Sequence, residues 1–314
     1  MPAPRQIFVE ASNATLAGWD YGNPTAPPMV FLHGLTDLAW SLHPVAERFA
    51  DRYHVLNFDL RGHGDSSHPG RYTVPHLVSD LRVVVDSLEL RRPVLFGHSM
   101  GSIVTSTFAG LWPDEPRALV MVEGIGPPPR FGEADPAGRR VIARAMIESL
   151  IGDRDRPPMA DLETARQRLR KAHPSLTPEL VDELAEVGTR PGPDGGVVWK
   201  WDPAVREWSA VFDRERFEES WQGITCPTLI VTGGQAWDRW WAPTSAVRPG
   251  PGFDGPMRDA ERDRRLGLFA DVEHHVVDAG HMVHFDRPDD VVRLTADFLG
   301  RRLPRPMGRR AQGA

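Results

Sequence analysis

Val94-Leu95-Phe96-Gly97-His98-Ser99-Met100-Gly101-Ser102-Ile103-Val104 joins an apolar run of strand type to a helical pattern through Gly97-x-Ser99-x-Gly101. A nucleophile elbow needs this sequence of strand, sharp turn and helix, with a serine side chain standing at the tip of the turn. Glycines at the flanking positions let strand and helix approach around so cramped a backbone. Ser99 is therefore the candidate nucleophile. The motif is short, and a glycine-rich turn with a satisfied hydroxyl would carry the same letters, so its surroundings decide.

Working outward, the chain reads as alternating strands and helices. Upstream, Gln6 to Ala11 and Ala14 to Trp19 flank the turn pair Ser12-Asn13 and predict an opening hairpin. Met29-Val30-Phe31-Leu32 is a continuous apolar run, as in a strand buried on both faces, and ends in His33-Gly34-Leu35. A helix is expected near Trp40 to Ala50. Tyr53 to Phe58 is a strand candidate that ends in the glycine-punctuated loop Asp59-Leu60-Arg61-Gly62-His63-Gly64-Asp65-Ser66. Val74, Leu77, Leu81, Val84 or Val85, and Leu88 recur three or four apart, predicting an amphipathic helix. Downstream of the elbow, Val104, Phe108 and Leu111 continue a helical stripe, and Ala118 to Val122 is a strand that ends at Glu123-Gly124.

Pro127-Pro128-Pro129 breaks the alternation, and from about Asp135 to Trp221 there is no convincing core strand. Two short amphipathic helices, around Leu162 to Leu169 and Leu180 to Val187, predict an inserted cap, with Pro191 to Gly196 a polar turn before a tryptophan-rich piece. The strand pattern resumes at Thr228 to Thr232 and closes with Glu273 to Val277, Asp278-Ala279-Gly280-His281 and a final helix. A glycine- and proline-rich excursion over 240–255 reads as a loop. The expected fold class is α/β, a mostly parallel, doubly wound eight-stranded sheet with an inserted helical cap. The core spans 1–126 and 222–300, the cap 127–221, and 301–314 a disordered tail. In such open sheets ligands sit at the carboxyl ends of the strands, where every motif noted above lies.

Bulk composition narrows the function. With 314 residues and 40% hydrophobic content the chain can bury one large core. A formal charge of -6 and a pI near 6.1 offer no broad basic face, so no nucleic-acid partner is expected. Cys226 is the single cysteine, which rules out an intrachain disulfide and a thiolate metal site. The start lacks a basic segment followed by a long apolar region, and no stretch of about 18 apolar residues occurs, so the expectation is a cytoplasmic protein without a membrane partner. No cofactor and no metal site are expected. The adjacent His274 and His275 sit in a strand pattern, where neighbouring side chains point to opposite faces.

The elbow, His33-Gly34, the Asp59 to Ser66 loop and Ala279-Gly280-His281 follow one another at the ends of successive parallel strands. In this combination the chain resembles the α/β-hydrolase family over roughly Met29 to Leu299. The resemblance implies Ser99 as nucleophile and His281 as general base, with His284 its nearest competitor and His98 pointing away. It also implies an oxyanion hole from the backbone amides of Met100 and Leu35, and a mainly architectural Asp59 to Ser66 loop. A serine hydroxyl needs a base, and the base needs a carboxylate. Most family members carry that acid after the strand corresponding to Thr228 to Thr232. Here the loop reads Gly233-Gly234-Gln235-Ala236-Trp237-Asp238, where Asp238 sits late. Glu123, 24 residues after Ser99, matches a second arrangement, seen in haloalkane dehalogenases, zearalenone lactonases and some short bacterial esterases. Glu123 is preferred, with Asp238 the alternative.

Serine at the elbow, in place of aspartate, argues against alkyl-enzyme chemistry and for acyl transfer to water. Trp199, Trp201 and Trp237 are candidates for an aromatic pocket wall suited to a hydrophobic small-molecule ester or lactone; fixing cap to core is their competing role. Three other readings share these residues: a carbon-carbon bond hydrolase, a cofactor-free oxygenase or perhydrolase, and a non-catalytic ligand sensor on a hydrolase scaffold. Nothing in the sequence sets the oligomeric state.

Overall fold

The computed structural model describes residues 3–126, 140, 144, 147, 158–192, 195–206, 214–236 and 255–303. Among the described residues, ten strands form two sheets. The large one is built from β1 (Arg5–Ala11), β2 (Ala14–Asp20), β3 (Pro28–Leu32), β4 (His54–Phe58), β5 (Val94–His98), β6 (Ala118–Val122), β9 (Thr228–Gly233) and β10 (Val272–Val277). Their order is β1-β2-β4-β3-β5-β6-β9-β10, and all pairs are parallel except β1 with β2 and β2 with β4. The expected eight-stranded, mostly parallel α/β sheet is thus present.

The apolar runs form strands because both of their faces are covered. On β3, Val30 and Leu32 enter the core on one side of the sheet while Met29 and Phe31 enter the core on the other, and Leu95 alternates with Val94 and Phe96 in the same way. All four of the β3 side chains are at most 3% exposed, so each contributes on the order of 1.5–3 kcal/mol of apolar burial. The helix Val74–Ser87 buries Val74, Leu77, Val78, Leu81, Val84 and Val85, the face that the periodicity indicated. The helix expected near 40–50 is instead three short turns, Ala39–Leu42, His43–Ala46 and Glu47–Phe49. Pro44 within it has no amide to donate to a preceding turn.

Register brings the motifs to one sheet edge. Leu32 pairs opposite Gly97, His98 opposite Val122, Val122 opposite Val231, and Gly233 opposite Val277. The chain steps from β3 out to β4 and back past β3 to β5, so the carboxyl ends of β3 and β5 flank the point where the winding reverses.

Within the span read as cap, the helices Leu162–Ala172 and Pro178–Gly188 are followed by an antiparallel hairpin of β7 (Thr189–Pro191) and β8 (Val197–Trp199). Asp161 and Thr177 cap the two helices by accepting from the amides of Thr164 and Leu180. Met159, Ala165 and Ala185 form a small core of their own, with Trp199 against it. This unit docks on the sheet domain through Trp40 Nε1 to Glu183 (2.9 Å), Lys200 to Asp65 (2.6 Å) and Tyr72 to Asp202. The helix Arg214–Gln222 also lies in the span read as cap, yet its Phe217 and Trp221 join the main core; Trp221 stacks on Phe269 and its Nε1 donates to Ser106. The closing helix runs through Arg302. Among the described residues no helix is long and apolar enough to cross a membrane.

The Asp59 to Ser66 loop is held from inside. Arg61 is fully buried and forms a bidentate pair with Asp80, at 2.6 and 2.5 Å. Replacing Asp80 with alanine leaves that guanidinium buried without its carboxylate, an effect that typically costs about 3–5 kcal/mol. The expected result is a melting temperature lowered by roughly 6–10 °C, read by circular dichroism; an unchanged melt would mean that water reaches Arg61.

Candidate active site

The local chemistry of the elbow follows from crowding. Ser99 adopts φ 49° and ψ -113°, between β5 and the helix Met100–Leu111. A Cβ at Gly97 would come within 2.4 Å of the Ser102 amide, and one at Gly101 within 2.1 Å of the Leu32 carbonyl. Neither position tolerates a side chain without moving backbone, so the two glycines are what allow Ser99 its half-buried, strained placement. Glu123, at the end of the adjacent strand, also has a positive φ, 52°.

These strand ends bring three side chains into a line. His281 Nε2 lies 3.0 Å from Ser99 Oγ, and His281 Nδ1 lies 3.1 Å from Glu123 Oε2. The other carboxylate oxygen, Glu123 Oε1, accepts from the Gly233 amide at 2.5 Å. With both oxygens facing donors, the carboxylate favours the tautomer in which Nδ1 carries the proton and Nε2 presents its lone pair to the serine. Burial holds the His281 imidazole well below its ordinary range, so the resting ring is neutral. Burial raises the Glu123 carboxyl, and the Gly233 amide opposes that rise.

The end of β9, where the commoner arrangement keeps its acid, here supplies a hydrogen-bond donor to an acid from β6. Gly233 can do so because β9 and the turn before His281 are nearly in contact: a Cβ there would lie 2.1 Å from the Gly280 carbonyl. Asp238, the alternative acid, and Trp237 lie outside the described residues.

Met100 and Leu35, whose amides are expected to form the oxyanion hole, lie on segments next to Ser99. Met100 is the first residue of its helix, where amides have no intrahelical partner and the helix dipole favours negative charge. A Cβ on Gly34 would lie 3.3 Å from Ser99 Cβ, so the backbone leading into Leu35 runs directly against Ser99. Two imidazoles hold that segment in place. His33 Nε2 accepts from the Leu60 amide at 3.0 Å while its Nδ1 donates to the Gly34 carbonyl at 2.7 Å. His63 Nε2 accepts from the Thr36 amide at 3.1 Å while its Nδ1 donates to the Arg61 carbonyl at 3.1 Å. Burial depresses both rings, that of His63 to about 4, which keeps these acceptor nitrogens unprotonated at neutral pH.

The Asp59 to Ser66 loop is structural in its contacts. Asp59 takes the amides of Ala39 and Asp65 on its two oxygens. The tryptophans divide. Trp199 packs into the small cap core and also approaches Gly188, where Leu38 comes from the other side. The Trp201 ring lies under the Arg206 guanidinium at 6.0 Å.

Sequence reasoning did not single out Gly233 as the partner of Glu123, or Asp286, whose Oδ2 accepts from the Gly280 amide at 2.8 Å while its Oδ1 takes Ser175 from the cap at 2.5 Å. A carboxylate six residues beyond a glycine-histidine pair was the available signal for Asp286. His98 does not face the serine hydroxyl; its Nε2 reaches back to the His281 carbonyl at 3.1 Å.

Comparison with known proteins identifies the family of this fold. The chain is 24% identical over 280 residues, 88% of its own length and 84% of the other, to a putative esterase/lipase of Haemophilus influenzae. It is 26% identical to epoxide hydrolase A of Mycobacterium tuberculosis, covering 95% and 98% of the two chains. A thioesterase domain from the curacin biosynthetic pathway superimposes with a TM-score of 0.77 at 25% identity, over 94% of this chain and 99% of that one. Residues 29–294 match the model of the alpha/beta hydrolase family, a span that runs from β3 into the closing helix and takes in every strand end described above. With the sheet order, the elbow and that match in agreement, the chain belongs to the alpha/beta hydrolase family.

Proposed function

We propose that this protein is a serine hydrolase that cleaves a carboxylic ester or lactone of a hydrophobic small molecule through an acyl-enzyme. The observation that carries the reading is the continuous relay from Ser99 Oγ through His281 to Glu123, at 3.0 and 3.1 Å. In the first half-reaction His281 Nε2 takes the hydroxyl proton as Ser99 Oγ bonds to the carbonyl carbon. The oxyanion that forms lies against the amides of Met100 and Leu35, and Glu123 stabilises the imidazolium. Collapse breaks the carbonyl-to-alkoxy bond, and His281 returns the proton to the leaving alcohol. Water, deprotonated by the same nitrogen, then releases the acid and regenerates Ser99.

Names among the relatives, esterase/lipase and thioesterase, belong to acyl-transfer chemistry and favour this reading over others on the same scaffold. The similarity to an epoxide hydrolase is read here as shared architecture, because a serine hydroxyl at the elbow suits attack on a carbonyl. Leu38 and Trp199 approach one glycine, Gly188, at the seam between cap and oxyanion segment, which supports an apolar wall for the substrate.

The test combines turnover with trapping. Purified protein is expected to hydrolyse p-nitrophenyl esters, and a fluorophosphonate should abolish that activity while adding one adduct mass to the peptide that contains Ser99. Turnover of a vinylogous diketone with no ester hydrolysis at any acyl length would replace the proposal with carbon-carbon bond cleavage.

A further inference from the structure

Behind the triad, Asp37, His98 and His284 bring one ligand-type atom each to within 4.8 Å of one another. His98 and His284 are each 1% exposed, and three of their four ring nitrogens, His98 Nδ1 and both nitrogens of His284, have no hydrogen-bond partner. Their neighbours behave differently: His33 and His63 are equally buried and satisfy both ring nitrogens with backbone groups. An unsatisfied buried polar group costs about 1–3 kcal/mol, so two adjacent imidazoles that each leave ring nitrogens without a partner call for an occupant.

Tautomer chemistry identifies what kind. His98 Nε2 faces the His281 carbonyl, which can only accept, so Nε2 carries the proton and the lone pair is on Nδ1. A histidine that donates one ring N–H to a backbone carbonyl and presents the other nitrogen bare is oriented as metal-ligating histidines are. Gly34 keeps the space beside that nitrogen open, since a Cβ there would lie 2.8 Å from His98 Nδ1. The His98 and His284 rings meet edge to face at 4.3 Å, and His284 Nε2 stands 3.9 Å from Asp37 Oδ2.

That last separation is too long for a hydrogen bond. It is a few tenths of an ångström wider than the roughly 3.3–3.6 Å between two ligand atoms of a tetrahedral ion, each about 2.0–2.2 Å from it, so a small side-chain adjustment closes the site. Asp37 is oriented by Ser41 Oγ at 2.8 Å and the Leu38 amide at 2.9 Å, one on each oxygen, which leaves lone pairs free. With His284 in the tautomer that turns its lone pair inward, three lone-pair atoms converge, from a carboxylate and two imidazoles. A water molecule has two protons for three acceptors; a cation serves all three.

We propose that Asp37, His98 and His284 form a binding site for one divalent first-row transition ion of the Zn2+ class, separate from the triad. Two imidazoles and one carboxylate suit Zn2+, Co2+ or Ni2+ and do not suit Mg2+ or Ca2+, which prefer an all-oxygen shell. Three protein ligands leave a coordination position for water. Through His98 the ion would be one hydrogen bond from the His281 backbone, so it would be in contact with the segment that carries the proposed base.

Binding is read without reference to hydrolysis, so this site and the proposed activity can fail separately. Full-length protein stripped with chelator is titrated with Co2+ alone, following visible d–d absorption and stoichiometry by equilibrium dialysis, with Zn2+ as competitor. The expected result is one Co2+ per chain, displaced by Zn2+, retained in Ser99→Ala, and weakened at least about 100-fold in His284→Gln and in Asp37→Asn. A fold control by circular dichroism accompanies each variant, and Asp37→Asn carries the test where His284→Gln does not fold. Absence of Co2+ binding by the wild type, or equal affinity in the folded variants, overturns the proposal. So does a crystal grown with Zn2+ that shows only water between these residues.

Discussion

Replacement of Ser99 by alanine is expected to lower kcat for ester hydrolysis by about 10⁵- to 10⁶-fold, with KM changed far less. The hydroxyl, 3.0 Å from His281 Nε2, is the group that forms the bond to the substrate carbon, and alanine has no atom to take its place. The oxyanion amides are backbone groups, so they survive the substitution and should leave a residual rate above that of water. Folding should be unaffected, because Ser99 already occupies its strained backbone without help from a side-chain cap. Steady-state kinetics on matched preparations check this, with the fluorophosphonate adduct lost in parallel. If the variant keeps more than a hundredth of wild-type turnover, Ser99 is not the nucleophile and the acyl-enzyme account falls.

The second large effect concerns the acid. Glu123→Gln should reduce kcat by about 10⁴-fold, since an amide can orient the imidazole but cannot stabilise the imidazolium, and it can hold the wrong tautomer. Asp238→Ala should change kcat by no more than a few-fold. The expectation follows from the two contacts of Glu123, His281 Nδ1 at 3.1 Å and the Gly233 amide at 2.5 Å, which commit both of its oxygens. The Gly233 contact survives the substitution because the glutamine oxygen still accepts, so the chain stays folded while the amide NH2 is left to face His281 Nδ1. A reversed ranking, with Asp238→Ala the damaging change, would transfer the role of acid to the loop after β9.

Much of the architecture was legible because it is written locally. Continuous apolar runs such as Met29 to Leu32 and Val94 to Phe96 can be satisfied only between two covered faces, and their alternation with helical periodicity implies parallel pairing. The elbow motif is local too, since Gly97, Ser99 and Gly101 fall within five residues and Gly97 is crowded by the helix its own strand runs into, although Gly101 is crowded by the end of β3. The helix expected near Trp40 to Ala50 is three short turns, with Pro44 among them. Farther along, Phe217 and Trp221, in the span read as cap, pack into the main core, where Trp221 stacks on Phe269, a contact set by tertiary packing.

From the sequence alone came the order of the elements, the sheet class and the candidates Ser99, His281 and Glu123, because strand propensity, turn chemistry and motif spacing act over a few residues. Only the tertiary structure decided that Gly233 binds the carboxylate of Glu123, that Asp286 joins the cap to the turn before His281, and that Asp37, His98 and His284 converge. Those contacts join residues as many as 247 positions apart, from 37 to 284. What sets them is the register of parallel strands and the close approach that glycines permit, and neither leaves a periodic trace in the chain.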